Sequence, residues 1–167
     1  LANASFLAMP AFVIGSNPNQ SFHFLEIAGM LIWIGAFAME SIADTQKLTF
    51  LRAMKKAGMK NKVCNVGLWK YRRHPNYFAE WMVWNGLIIA AVPSLMALYD
   101  RESFIIWLAL GAGLLMASWK MYATLVYGTG AEPSEYYSVH KRPEYRAYQK
   151  TTNQFFPGPV KSLAEHT

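Results

Sequence analysis

Charged residues and cysteine are both scarce in this 167-residue chain. Asp, Glu, Lys and Arg together make up 16%, and Cys64 is the single cysteine. An average soluble domain carries about 25% charged residues, so the deficit argues against an ordinary soluble surface. One thiol excludes an internal disulfide framework and any cysteine-rich metal site. In a basic loop facing a reducing cytosol it would stay a thiol, and an incidental small residue is its simplest role. The chain starts at Leu1, and no basic segment precedes the apolar stretch Phe6 to Ile14, so a signal peptide does not fit. A processed protein or a chain with further residues ahead of Leu1 fits better. Internal repeats and low-complexity tracts are also lacking.

What is present is apolar and segregated. Hydrophobic residues reach 53% and aromatics 15%, while the mean hydropathy of +0.10 hides sharply separated apolar and polar stretches. Crossing the hydrocarbon of a bilayer takes roughly 20 mainly apolar residues. Residues 22–43 satisfy this, with Glu26 and Glu40 near the ends and an uncharged middle. Residues 77–99 do so with Glu80 as the one charge, and 104–127 with Lys120. Residues 1–15 are apolar but short, as for the end of a span that begins upstream. The expected architecture is a single all-α, integral membrane multi-helix bundle.

Basic residues orient it. Nine of the sixteen Lys and Arg lie between Lys47 and Arg73, an interval without Asp or Glu. Between membrane spans such a run marks a cytoplasmic loop or holds an anionic ligand rather than nucleic acid. Asp44 to Asn76 is then cytoplasmic, and Asp100-Arg101-Glu102 makes a short turn outside. The tail from Gly128, with five more basic residues, returns to the cytoplasm. Traced backward, this topology brings the Leu1 stretch in from the cytoplasmic side, which favours residues ahead of it.

Local signals fill in the polar parts. Asp44 to Lys56 lacks Gly and Pro and can prolong the first span as a helix. Gly58 and Gly67 punctuate the loop, and Pro75 suits a helix start because a first-turn residue needs no amide donor. In the tail, Pro133 and Pro143 are expected to delimit a turn and a short cytoplasmic helix, Glu144 to Thr152, ended by Pro157 and Pro159.

The densest chemistry lies in Gly67 to Trp81, GLWKYRRHPNYFAEW, with two Arg, a His, an Asn, a Glu and many aromatics at a helix start. Arg72 and Arg73 beside a helix N-terminus can form an anion site, since free amides and the dipole add to the guanidinium charges. Asn76, Glu80 and Trp84 share a helix face. Each residue also has a plain structural role open to it. Arg72 and Arg73 can be positive-inside anchors, and His74 a loop hydrogen-bonding group. Asn76 can be a helix cap, and Asp44 with Lys47 a helix ion pair. Tyr71, Tyr77, Trp81 and Trp84 can form an interfacial belt. Lys120 can snorkel, and the nine Met suit packing better than a soft metal. Glu80 stands apart, because an ionisable group inside a span is costly and usually functional or paired.

The run Gly-Leu-Trp-x-Tyr-x-Arg-His-Pro-Asn-Tyr-Phe-x-Glu resembles the signature of the steroid 5-alpha-reductase-like membrane reductases, particularly an uncharacterised bacterial branch. The likeness extends to Asp44-x-Gln46-Lys47-x-x-Phe50. It also extends to Arg142-Pro143-x-Tyr145-x-x-Tyr148-Gln149-x-Thr151-Thr152-x-x-Phe155-x-Pro157, so it covers most of Phe22 to Pro159. Ala79 departs from the family's usual Gly. The resemblance implies an NADPH-dependent reductase of a carbon–carbon double bond conjugated to a carbonyl in a steroid- or lipid-like substrate. It further implies that Asp44, Lys47, Arg73, His74, Asn76 and Tyr77 line the cofactor site, with Tyr145 and Tyr148 capping it. The family's proton-donating residues lie largely in early spans, so no catalytic acid is assigned. Glu80 is the in-membrane candidate, with a cofactor-amide contact as an equal role. No metal site, nucleic-acid partner or particular oligomeric state is implied.

Two rivals remain open at this level. Membrane methyltransferases of the isoprenylcysteine carboxyl methyltransferase type share Arg-His-Pro at the same place and bind S-adenosylmethionine. Against them stand Asn76-Tyr77-Phe78 and the absence of paired glutamates, since Glu132 and Glu135 are not adjacent. A non-catalytic membrane protein docking anionic lipid through its basic loop is the other.

Overall fold

The computed structural model describes residues 2–19 and 21–161, with the side chains of 2–5 left undescribed. Among these residues the architecture is all-helical. Helix α1 (Ala2–Gly15) is followed by α2 (Phe24–Lys56), a 3-10 turn (Gly67–Lys70) and α3 (Pro75–Leu98). Then come α4 (Phe104–Ala123), a π-helical turn (Thr124–Gly128), α5 (Ala131–Lys141) and α6 (Tyr145–Thr151). Three helices are long and apolar enough to cross a membrane, as the hydropathy pattern predicts. Leu1, where the chain's beginning was at issue, lies outside the described residues.

The helix boundaries follow local chemistry. Glu26 sits in the first turn of α2, where its carboxylate accepts the His23 amide at 3.0 Å and the Asn17 side-chain amide at 3.0 Å. It thereby satisfies an orphan donor and complements the helix dipole. The run without Gly or Pro carries α2 on to Lys56, where the chain leaves the helix and Gly58 takes φ +71°. Pro75 opens α3. In the tail one expectation needs correcting: Pro133 does not delimit a turn but sits in the first turn of α5. A missing amide hydrogen costs nothing there, because the first four helical donors have no intrahelical acceptor. Pro143 does separate α5 from α6.

The chain divides into two compact units. The first comprises residues up to Phe37 together with Glu80–Ala123, and the second Ala38–Ala79 with the residues from Thr124 onward. The first unit is mainly apolar in its core and over much of its surface. Its core is Val13, Ala91 and Leu114, with Met9, Ile14, Ile88, Leu95 and Leu110 packed around them. Phe24, Leu31, Ile105 and Leu115 are more than 60% exposed, as lipid-facing side chains are when no bilayer is drawn.

Within a bilayer, apolar area alone does not drive helices together, so close backbone approach and polar contacts must. Both occur here. A Cβ on Gly29 would lie 2.5 Å from the Gly86 carbonyl oxygen and the Ala90 nitrogen, and a Cβ on Gly86 2.8 Å from the Gly29 oxygen. The two glycines thus form the point where α2 and α3 touch backbone to backbone. Between α3 and α4, the Trp81 indole donates to the Ser118 carbonyl (3.2 Å). The Ser118 hydroxyl donates to Asn85 Oδ1 (2.9 Å), and Asn85 Nδ2 donates back to the Trp81 carbonyl (2.7 Å). Every member of that triangle is satisfied.

Gly29→Ala is therefore expected to destabilise the detergent-solubilised protein by about 1–3 kcal/mol through overpacking. Gly35→Ala, on the same helix with nothing within 4 Å of the new methyl, should be neutral or stabilising by up to about 1 kcal/mol. Thermal unfolding of the two variants checks this, and equal Tm values would contradict the close crossing.

Candidate functional site

The second unit contains the polar chemistry, all of it outside the apolar stretches of the spans. Its construction begins with the prolonged α2. The Trp69 indole donates to the Ala43 carbonyl at 2.8 Å, and Gln46 Oε1 accepts the Leu68 amide at 2.9 Å. Lys47 Nζ lies 4.3 Å above the Trp69 ring, a cation–π contact. Gly67 is required at this junction. Its φ is +54°, and a Cβ would meet the Gln46 side chain at 2.4 Å. One helical turn of α2 thus anchors the loop that leads into α3.

The tail closes on that loop from the other side. The amides of Arg73 and His74 donate to the carbonyls of Asn153 (2.8 Å) and Gln154 (3.2 Å), and Arg72 and Asn153 form a single parallel bridge. The Tyr148 hydroxyl donates to the Trp69 carbonyl. Burial pushes the phenols of Tyr145 and Tyr148 well above their ordinary range, so both stay protonated. Gly130 permits the turn from the π-helical segment into α5, since a Cβ there would overlap the Leu125 carbonyl oxygen at 1.8 Å.

Glu135 on α5 is the hub, a residue the sequence reading did not place in the site. Its carboxylate receives Arg73 Nε at 2.7 Å and Nη2 at 3.0 Å, a bidentate pair. It also receives His74 Nε2 at 2.9 Å and the Gln149 amide at 2.8 Å. The remaining Arg73 nitrogen, Nη1, donates to the Gln149 carbonyl at 3.0 Å and to the Thr152 carbonyl. Burial would raise the Glu135 pKa, but the hydrogen bonds from His74, Arg73 and Gln149 and the Arg73 charge outweigh it and hold the group at about 2. His74 is pushed below its ordinary 6.5, chiefly by burial; Glu135 opposes this, while the Lys47 and Arg73 charges add to it. A neutral His74 carries its proton on Nε2, because the carboxylate can only accept.

Beside this hub opens a narrow cleft with a cavity volume of about 30 Å3, lined among others by Lys47, Lys62, Cys64, Ser134, Ser138 and Arg142. Arg73, His74, Tyr145 and Tyr148 also face it. Lys62 pairs with Glu144 at 2.5 Å in an exposed contact. Lys47 has its pKa lowered by burial and by the Arg142 charge. Burial likewise raises the Cys64 thiol, so it is not an activated nucleophile.

The structure gathers five of the sequence-selected residues, Lys47, Arg73, His74, Tyr145 and Tyr148, around one cleft. Tyr77 stacks on His74 with ring centroids 5.2 Å apart. Asp44 is exposed on α2. Asn76 is the second residue of α3 rather than its cap, and its buried Oδ1 has no hydrogen-bond donor among the described residues. Glu80 belongs to the first unit. Ser134 and Ser138 carried no signal in the sequence, Lys62 was one cation of the basic run without an assigned role, and Arg142 and Gln149 stood in the tail motif likewise unassigned. No group of three or more potential metal ligands occurs among the described residues.

Comparison with known proteins places the chain in a family. The model of the family described as "Protein of unknown function (DUF1295)" matches residues 3–152, and the chain belongs to that family. It is also similar to "Uncharacterized protein C594.04c" of Schizosaccharomyces pombe, at 23% identity over 94% of this chain. The chain spans 44% of that protein's length. No solved structure matches it.

Removing one partner of a buried ion pair strands the other, so Glu135→Gln should cost roughly 3–5 kcal/mol, measured as a fall in Tm. The pH dependence has a defined sign. Glu135, held at about 2 against an ordinary 4.5, contributes stability that is complete above pH 4.5 and is lost as pH falls toward 2. His74, with its pKa lowered from 6.5, resists a proton that the unfolded chain accepts, so stability also falls as pH drops below 6.5. The Tm should decline on acidification from neutral pH, and His74→Gln should remove the part of the decline nearest pH 6.5. An unaltered profile in that variant would contradict the buried neutral imidazole.

Proposed function

We propose that this protein is an NADPH-dependent membrane reductase. It would reduce a carbon–carbon double bond conjugated to a carbonyl in a steroid- or lipid-like substrate and hold the phosphates of its cofactor at the mouth of the second unit's narrow cleft, on the cytoplasmic side. The observation that carries this reading is the cleft's charge. Lys47 and Arg142 converge there with the hydroxyls of Ser134 and Ser138, Lys62 being paired with Glu144, and the buried carboxylate beside them is committed to Arg73 and His74. A dinucleotide bearing three phosphates suits such a lining. The resemblance of Gly67 to Glu80 to the steroid 5-alpha-reductase-like signature points the same way, and so does the concentration of cations on the loop and tail, which favours their cytoplasmic placement.

When bound, the dinucleotide supplies the hydride. The protein's own residues bind and orient. Lys47 and Arg142 would neutralise phosphate, and Ser134 and Ser138 would donate to it. Arg73, its donors already spent, positions the tail against the start of α3 instead of touching the ligand's charge. His74 stays neutral and adds no further cation. The methyltransferase alternative is disfavoured by the same electrostatics, because the sulfonium and ammonium of S-adenosylmethionine would enter a cleft that is already positive.

NADPH should quench protein fluorescence, or show enhanced fluorescence itself, in titrations of the purified protein. Lys47→Ala and Arg142→Ala should each weaken binding about tenfold, the loss of one charge-assisted hydrogen bond. Binding of S-adenosylmethionine without NADPH would replace this reading with the methyltransferase one. Binding of neither would favour a non-catalytic lipid-binding protein.

A further inference from the structure

Arg72 and Arg73 are neighbours in sequence and opposites in environment. Every donor group of Arg73 is used within the second unit. The Arg72 side chain donates no hydrogen bond and meets no carboxylate among the described residues, although the residue is only 9% exposed and its Nη1 is buried without a partner. Burial alone acts on its pKa, downward, with no counter-charge opposing it. Its one favourable contact is the face of Phe78, 4.1 Å from the guanidinium carbon, which offsets only part of the cost of removing a cation from water. A buried cation without a counterion is the condition an anionic ligand relieves.

The surroundings define which anion. Arg72 lines an open cleft of about 420 Å3 with Leu68, Tyr71, Pro157, Gly158 and Pro159. None of these carries a charge, and none lines the cleft proposed for the cofactor. Arg72 lies three residues before Pro75, the first residue of an apolar span-length helix. The aromatics around it are those of a bilayer interface. Tyr71 is 53% and Phe156 51% exposed, and Phe156 packs edge-on against Phe78 at 6.1 Å. The amphipathic Tyr71 ring beside a cation at the end of a span suits the headgroup level, with the apolar Phe156 and Phe78 rings toward the acyl chains.

The geometry points to a specific site for one anionic phospholipid, its phosphodiester held by the Arg72 guanidinium and its glycerol end resting on the Tyr71–Pro157 wall. The site is independent of the proposed reductase activity. Arg72 needs an outside anion here because the carboxylate that could have compensated it, Glu135, is saturated by Arg73, His74 and Gln149.

The test reconstitutes the full chain in nanodiscs of mixed phosphatidylglycerol and phosphatidylcholine, then counts tightly retained lipid by native mass spectrometry. The unaltered protein should retain one phosphatidylglycerol. R72Q should lower that retention about tenfold, as expected for losing a charge-assisted contact, whereas K70Q, removing an exposed neighbouring cation, should leave it unchanged. R72K keeps the charge without the planar fork and should give an intermediate loss; it carries the test if R72Q fails to fold. Undiminished retention in folded R72Q, or in R72K when R72Q does not fold, overturns the proposal. So does displacement of the lipid by inorganic phosphate, which would mark a soluble-anion site. Displacement by NADPH also overturns it, assigning Arg72 to the nucleotide, whereas NADPH binding undiminished in R72Q supports two separate sites.

Discussion

A buried carboxylate that must be satisfied organises the second unit. Glu135 projects from α5 into an interior where an unpaired charge would cost several kcal/mol, and four donor groups from three residues meet it. Arg73 and His74 come from the loop ahead of α3, and Gln149 comes from α6. Because Arg73 also donates to carbonyls of Gln149 and Thr152, the same guanidinium ties the tail's backbone to its side-chain network. The cleft beside this cluster owes its shape to it: remove the carboxylate, and two basic residues in the middle of the wall lose the partner that fixes them.

The two units are stabilised by different means, as their solvents require. In the first, water is absent as a competitor, and contact depends on glycines that let backbones touch and on a closed triangle of hydrogen bonds among Trp81, Asn85 and Ser118. In the second, charge and backbone polarity are plentiful, and the organising principle is satisfaction of donors and acceptors. The exceptions are informative. Asn76 Oδ1, Thr152 Oγ1 and Arg72 Nη1 are buried with no partner among the described residues, an acceptor, a hydroxyl and a cationic donor. Of these, the Arg72 cation is the one that the proposed anionic lipid would meet.

The contrast between adjacent arginines shows how little a charge tally says about function. As a run of nine cations the loop is simply positive. In the fold, Arg73 is neutralised by Glu135, Lys62 is paired with Glu144, and Lys47 rests on Trp69. The field at the cleft comes from the residual charges on Lys47 and Arg142, whose proximity lowers the Lys47 pKa further. Burial and pairing decide which cations can act on a ligand.

The sequence alone determined the all-α class, the apolar helices, the prolonged α2 and the helix start at Pro75, because hydropathy, helix punctuation and the missing amide hydrogen of proline are local properties. It misplaced Pro133, since a first-turn proline and a turn proline look alike until the following residues are seen to be helical. Lys47, Arg73, His74, Tyr145 and Tyr148 were picked out by the resemblance of the motif and its flanking segments to the reductase signature, not by any pattern internal to the chain. Only the tertiary structure decided that Glu135, 62 residues from Arg73, is the partner that consumes that arginine, and that its neighbour Arg72 is left with none. An ion pair over such a separation depends on where α5 comes to rest against the loop, and that is set by backbone geometry at Gly67 and Gly130, not by any pattern of charges along the chain.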